Sequence, residues 1–209
     1  MSRPLVISDC DEVLLHMVAP FGEWLDEEHG IHFDMAGGDF ARAMKRRECG
    51  SPVPLEHVWP LLKGFFDGQM HRQYPIAGAV ESIGRLREHA DVVVLTNLGD
   101  DHREARRRQL LDHGIDLKVY TNQGPKGPAL QAVLEEYAPS TAVFIDDLPQ
   151  HHGSVKDIAP HVSRLHLCGE PRIAPHIVCA GKSGDAHARI DDWATALPWI
   201  VERLYQTAP

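Results

Sequence analysis

Two aspartates one residue apart, Asp9 and Asp11, close the stretch PLVISDCDEVL. The residues before them, Leu5, Val6 and Ile7, are aliphatic types that favour a strand buried on both faces. Both acids then sit just past its carboxyl end, the edge at which open parallel sheets bind their ligands. Two later apolar runs also end in reactive groups: VVVLTN in Thr96 and Asn97, and VFIDD in Asp146 and Asp147. Lys126 stands at the start of a further helical segment. Two acid pairs, a hydroxyl and an ammonium gathered at one sheet edge are what phosphoryl transfer through an aspartate requires. Each taken alone has a plain structural role: Asp9 can cap a turn, Thr96 a helix, and Lys126 can be a solvated loop lysine. Asp146 and Asp147 are harder to explain that way, because adjacent acids after a buried strand repel each other and a bound cation relieves that.

The surrounding elements must bring these groups together. After the first strand the rhythm is helical, with Phe21, Trp24 and Leu25 on one face and Gly30 as a stop. A second helix is expected over Asp39–Arg47 and a third over Pro54–Gln69, where Pro60 is a candidate kink. These make a helical insertion of roughly sixty residues, too long for a loop and suited to a lid. From Ala77 the pattern alternates: helix Ala77–His89, strand Asp91–Thr96, helix Asp101–His113, strand Leu117–Thr121, helix Gly127–Tyr137 and strand Thr141–Ile145. A short helix Ser154–Pro160, a strand Val162–Leu167 and an amphipathic helix Asp191–Tyr205 follow, while Pro171–Ala188 takes no assignment. Such alternation implies a parallel sheet with right-handed crossovers.

Composition fits one soluble core. The 209 residues are 43% hydrophobic and 24% charged, ordinary for a globular protein. A net charge of -9 argues against nucleic acid or an anionic membrane as the main partner. An anionic substrate must then be held by local positive groups. No run reaches the ~18 apolar residues of a membrane span and no leader pattern opens the chain, so a cytoplasmic location is expected. Four scattered cysteines without a Cys-x-x-Cys pair read as reduced thiols. Cys10, flanked by two carboxylates, is expected to stay protonated and to serve the structure. Gly181-Lys182-Ser183 lacks the strand and first glycine of a phosphate loop, and the fourteen histidines show no zinc spacing.

Four motifs in this order resemble the haloacid dehalogenase superfamily, the aspartate-nucleophile phosphatases. VISDCDEV resembles the first through Asp9, Asp11 and Val13, VVVLTN the second through Thr96, Lys126 supplies the third, and VFIDD resembles the fourth through Asp146 and Asp147. The resemblance spans about Pro4 to Leu167. It implies an α/β fold, a doubly wound, Rossmann-like parallel sheet with a small helical cap inserted after the first strand. The core would comprise residues 1–14 and 76–209 and the cap residues 15–75. Asp9 would be the nucleophile and Asp11 the general acid and base, and Thr96, Asn97 and Lys126 would bind the phosphate. Asp9, Asp11 through its backbone carbonyl, Asp146 and Asp147 would hold Mg2+ directly or through water. An acid at Asp11 implies an oxygen leaving group, since the superfamily's dehalogenases and phosphonatases lack one there.

The implied activity is a Mg2+-dependent phosphomonoesterase acting on a small phosphorylated metabolite through an aspartyl-phosphate intermediate. A sugar-phosphate mutase, which keeps the same motifs, and a non-catalytic binding or regulatory protein on the same fold are the alternatives. The expected partner is a small-molecule phosphate ester, with no nucleic acid or membrane, and the expected assembly a monomer or homodimer. Arg42, Lys45, Arg46 and Arg47 could reach substrate from the cap or form a solvated face. Gln150, His151 and His152 occupy the region after the paired acids where the superfamily often carries Asn or Asp.

Overall fold

Because its residues are apolar on both sides, strand β1 (Leu5–Ser8) can sit at the centre of a sheet, and it does: all four are fully buried. In the computed structural model, which describes residues 2–34 and 39–206, β1 pairs in parallel with β4 (Asp91–Thr96) and β6 (Ala142–Asp146). Met1, residues 35–38 of the expected cap and residues 207–209 lie outside the described residues. β4 continues to β5 (Lys118–Thr121), and β6 to β7 (Ser163–His166) and the two-residue β8 (Ala188–Arg189), all in parallel. The strand order is β5-β4-β1-β6-β7-β8, a doubly wound α/β sheet. Connections run outward from β1 in one direction and then in the other. That reversal opens a crevice beyond the carboxyl ends of β1, β4 and β6.

Alternate residues of the strands feed two cores. Val6, Val92, Val94, Val143 and Ile145 pack with Ile83 and Leu86 of α3 (Ala79–His89) and Trp193 and Ile200 of α7 (Trp193–Tyr205). Leu5, Ile7, Val93, Leu95 and Phe144 pack with Leu130 and Val133 of α5 (Gly127–Tyr137) and Val155 of α6 (Pro149–Ile158). The helix after β4 is α4 (Arg103–Asp112). α6 begins at Pro149, earlier than Ser154, since a proline in the first turn forfeits no helical hydrogen bond. β8 lies at the end of the unassigned Pro-, Gly- and His-rich segment, too short to carry a period. Two arginines organise that segment: Arg164 donates to the carbonyl of Asp185, and Arg189 to those of Ala174 and Ile177.

The insertion between β1 and α3 has its own aromatic centre. α1 (Val18–His29) ends at Gly30, whose φ of 58° is the left-handed cap its residue type permits. Phe21 then meets Phe33, Phe40 and Phe65 at ring separations of 5.4, 5.7 and 5.4 Å. The expected helix over Asp39–Arg47 is absent. A single 3-10 turn, Phe40–Arg42, leads into strand β3 (Met44–Arg46), antiparallel to β2 (Ile31–Phe33). Met44 is buried while Lys45 and Arg46 are exposed, and pairing with β2 outweighs the helical preference of Lys and Arg. α2 (Leu55–Gly68) continues through Pro60. The two linkers run side by side, His16 N–H donating to Tyr74 C=O and Ile76 N–H to Leu14 C=O, both at 2.9 Å. Among the described residues no helix is long and apolar enough to cross a membrane.

Under β6 and β7 lies a buried imidazole. His166 accepts a hydrogen bond from Ala180 N–H at Nδ1. Burial, helped by His152 and Arg189, pushes its pKa down from 6.5 to about 4. Between those values the unfolded chain binds a proton that the folded chain refuses, so stability is full above about 6.5 and is lost as pH falls toward 4. Urea unfolding across that range should show the wild type losing more stability on acidification than His166→Asn, which keeps an acceptor for Ala180.

Candidate active site

The carboxyl ends of β1, β4 and β6 bring three of the four motifs together, and the turn into α5 supplies the fourth. Asp9 is seated by its own N–H, which donates to Ile145 C=O at 2.8 Å. Lys126 immediately precedes α5, and its wholly buried ammonium lies 2.8 Å from Asp9 Oδ1 and 2.6 Å from Asp146 Oδ2. Gly127 makes this approach possible: a Cβ there would collide with Ser154 of α6, whose hydroxyl instead accepts from Gly127 N–H at 2.9 Å. The second oxygen of Asp146 accepts from Leu148 N–H at 2.9 Å, so this acid also caps its own turn. Oxygens of Asp9, Asp146 and Asp147 lie within 4.8 Å of one another. Among the described residues the buried Thr96 hydroxyl has no partner. Asn97 is more exposed, its amide donating to Gly124 C=O at 3.0 Å.

Three buried carboxylates face one ammonium, and the charges do not balance. Burial pushes Asp9 up from 3.8 to about 7; Lys126 opposes this, while Asp146 and Asp11 add to it. Asp147 is raised well above the usual carboxylate range by burial, then by Asp146, Asp9 and Glu12. Asp146 goes the other way: burial disfavours its charge, but Lys126, His151 and His152 together hold it below 3.8. Burial likewise works against the Lys126 charge, yet Asp146 and Asp9 keep it firmly protonated. A divalent cation among Asp9, Asp146 and Asp147 would remove this imbalance, and an all-oxygen donor set suits a hard ion.

Asp11 turns elsewhere. Both its oxygens accept from Arg106 Nη2, at 2.9 and 3.0 Å, and Oδ1 also accepts from Gln73 Nε2 at 2.7 Å. Neither partner stands out in the sequence: Arg106 is one of four arginines in REARRR, and only its place four residues before the buried Leu110 marks it as inward-facing. Cys10 is buried, and its thiol is pushed far up, chiefly by burial and then by Asp11 and Asp9 against the pull of Arg106 and Lys126. Among the described residues all four cysteines are free. Beside the site, Glu12, His16 and Glu170 also approach within 4.8 Å. Here Arg172 grips both Glu170 oxygens at 2.8 and 2.9 Å, and Glu12 Oε1 accepts from the N–H groups of Met17 and Val18 at the start of α1, while burial raises the Glu12 pKa to about 7. Those bonds hold Glu12 at a φ of 60°, unusual for a residue with a side chain. His152, on α6, braces the site from behind by donating from Nε2 to Asp146 C=O at 3.0 Å.

Of the four cap cations, Arg42 pairs with Asp39 and Arg47 with Asp26, while Lys45 and Arg46 are exposed. A cavity of about 350 Å3 separates α1 and the β2–β3 hairpin from the segment after β7, with Glu23, Asp26, His32, Arg47, Glu170 and Arg172 in its wall. It touches neither Asp9 nor Lys126.

No family model and no curated protein matches the sequence. Solved structures do. A hydrolase of the haloacid dehalogenase family from Deinococcus radiodurans R1, with bound phosphate and sodium, superposes with a TM-score of 0.69 at 18% identity, covering 99% of each chain. The chain has the haloacid dehalogenase fold. A haloacid dehalogenase-like hydrolase from Streptococcus pneumoniae shares that fold at a TM-score of 0.65 and 10% identity, over 95% of this chain and 98% of that one. A haloacid dehalogenase-like protein of unknown function from Agrobacterium tumefaciens C58 gives 0.65 at 16% identity, over 97% and 99%.

Lys126 is the counter-charge for two buried acids, and replacing it by methionine strands them. Lys126→Met should lower stability by about 3–5 kcal/mol at pH 7, measured by urea unfolding without divalent ions. The deficit should shrink as pH falls, because without Lys126 the buried Asp9 and Asp146 take up protons at a higher pH than they do in the wild type.

Proposed function

We propose that this chain is a Mg2+-dependent phosphomonoesterase acting on a small phosphorylated metabolite through an aspartyl-phosphate intermediate. What supports this reading above all is Asp9, held against Lys126 inside a pocket of three buried acids, with an unpartnered Thr96 hydroxyl at the next strand end. Asp9 would attack phosphorus, forming an aspartyl-phosphate as the bond to the alcohol oxygen breaks. Asp11 would give its proton to the departing alcohol, then take one from the water that attacks the intermediate and frees Asp9 and inorganic phosphate. Lys126 and Thr96 would hold the transferring oxygens, with the Asn97 backbone N–H beside them. Mg2+ bound by Asp9, Asp146, the Asp11 carbonyl and Asp147, in part through water, would supply charge neutralisation. The insertion, joined to the core by its paired linkers, would act as a lid that favours small substrates over macromolecules. The phosphate bound in the Deinococcus radiodurans structure accords with an oxyanion of this kind.

Hydrolysis of p-nitrophenyl phosphate should require Mg2+, and Asp9→Asn should lower kcat by at least about a thousandfold. A wild type inactive with Mg2+, or an Asp9→Asn enzyme with unchanged rate, would overturn the reading. Metal binding must also displace protons from Asp9, raised to about 7, so Mg2+ affinity measured by calorimetry should increase as pH rises through that value.

A further inference from the structure

We infer that Arg106 and Gln73 are positioning residues that fix the Asp11 carboxylate and leave Oδ2 as the oxygen free to exchange a proton with substrate. This rests on the phosphatase reading and assigns it two residues outside the four motifs. Asp11 Oδ1 accepts twice, from Gln73 Nε2 at 2.7 Å and Arg106 Nη2 at 2.9 Å. Among the described residues Oδ2 accepts once, from Arg106 Nη2 at 3.0 Å, so it keeps a lone pair for the reaction. Both holders are themselves held. Arg106 is fully buried, its Nη1 donating to Gln73 Oε1 at 3.2 Å and Gln109 Oε1 at 3.0 Å. Gln73 is 1% exposed, and its backbone carbonyl accepts from His113 Nε2 at 3.2 Å.

The network also crosses from core to insertion. Arg106, Gln109 and His113 come from α4 and its C-terminus, whereas Gln73 lies on the linker returning from the insertion. Gln109 Nε2 donates to Met70 C=O, and the Arg106 guanidinium lies 5.7 Å from the centre of the Phe66 ring of α2. Only with the insertion seated on α4 does Gln73 reach Asp11. Asp11 is thus oriented by the same contacts that seat the insertion, so its orientation is coupled to that of the lid.

The test separates positioning from folding by leaving group. Phenyl phosphate releases a poor leaving group that needs a proton, whereas p-nitrophenyl phosphate releases one that leaves unaided. In Arg106→Gln, kcat/KM should fall roughly a hundredfold for phenyl phosphate and at least about tenfold less for p-nitrophenyl phosphate. Arg106→Lys should restore part of the difference. Gln73→Leu, which leaves the ion pair in place, should show the same selectivity on a smaller scale and decides the matter if Arg106→Gln does not fold. Equal losses on both substrates, or none, would overturn the inference. If the wild type hydrolyses neither ester, the phosphatase reading fails separately. A crystal structure of Arg106→Gln, or of Gln73→Leu if the former does not fold, then decides: a displaced Asp11 carboxylate supports positioning, and an unmoved one overturns it.

Discussion

A single buried ammonium holds the site together. Lys126 touches Asp9 at the end of β1 and Asp146 at the end of β6, two acids that burial alone would drive toward neutrality. Everything nearby serves that contact. The glycine after Lys126 lets α5 approach α6, the parallel register sets both acids at the same height, and the apolar faces of β1, β4 and β6 exclude the water that would screen them. One positive charge still leaves the trio of carboxylates underneutralised. The architecture is therefore poised for a cation rather than complete without one.

Most of this was legible in the sequence because it is periodic or repeated. Continuous apolar runs ending in Asp, Thr or Asp-Asp announce strands buried on both faces with polar ends, and the structure places Asp9, Lys126, Asp146 and Asp147 together, with Thr96 at the end of the neighbouring strand β4. What escaped notice depends on tertiary choice. In REARRR only the spacing to Leu110 singles out the arginine that turns inward, and Gln73 has no pattern at all. The β2–β3 hairpin was hidden because its strands have only three residues each, so pairing between segments determined the structure where local preference pointed to a helix. β8, with two residues, is shorter still.

The network around Asp11 contrasts with that around Asp9. Lys126 answers to two acids in the core, but Asp11 answers to a core arginine and to an amide on the linker that returns from the insertion. One carboxylate belongs to the sheet; the other is shared between the core and the insertion. A rigid-body shift of the insertion would leave the first undisturbed and alter the second.

Trp193 adds a constraint of another kind. Its indole N–H donates at 2.8 Å to the carbonyl of Val13, a partner 180 residues earlier. The loop that carries both aspartates is thus finished by a helix that emerges long after it, and β1 itself waits for β4 and β6 before it has neighbours on either side. The contact that closes the acidic loop therefore depends on residue 193, and a chain cut short before it lacks this donor for the Val13 carbonyl.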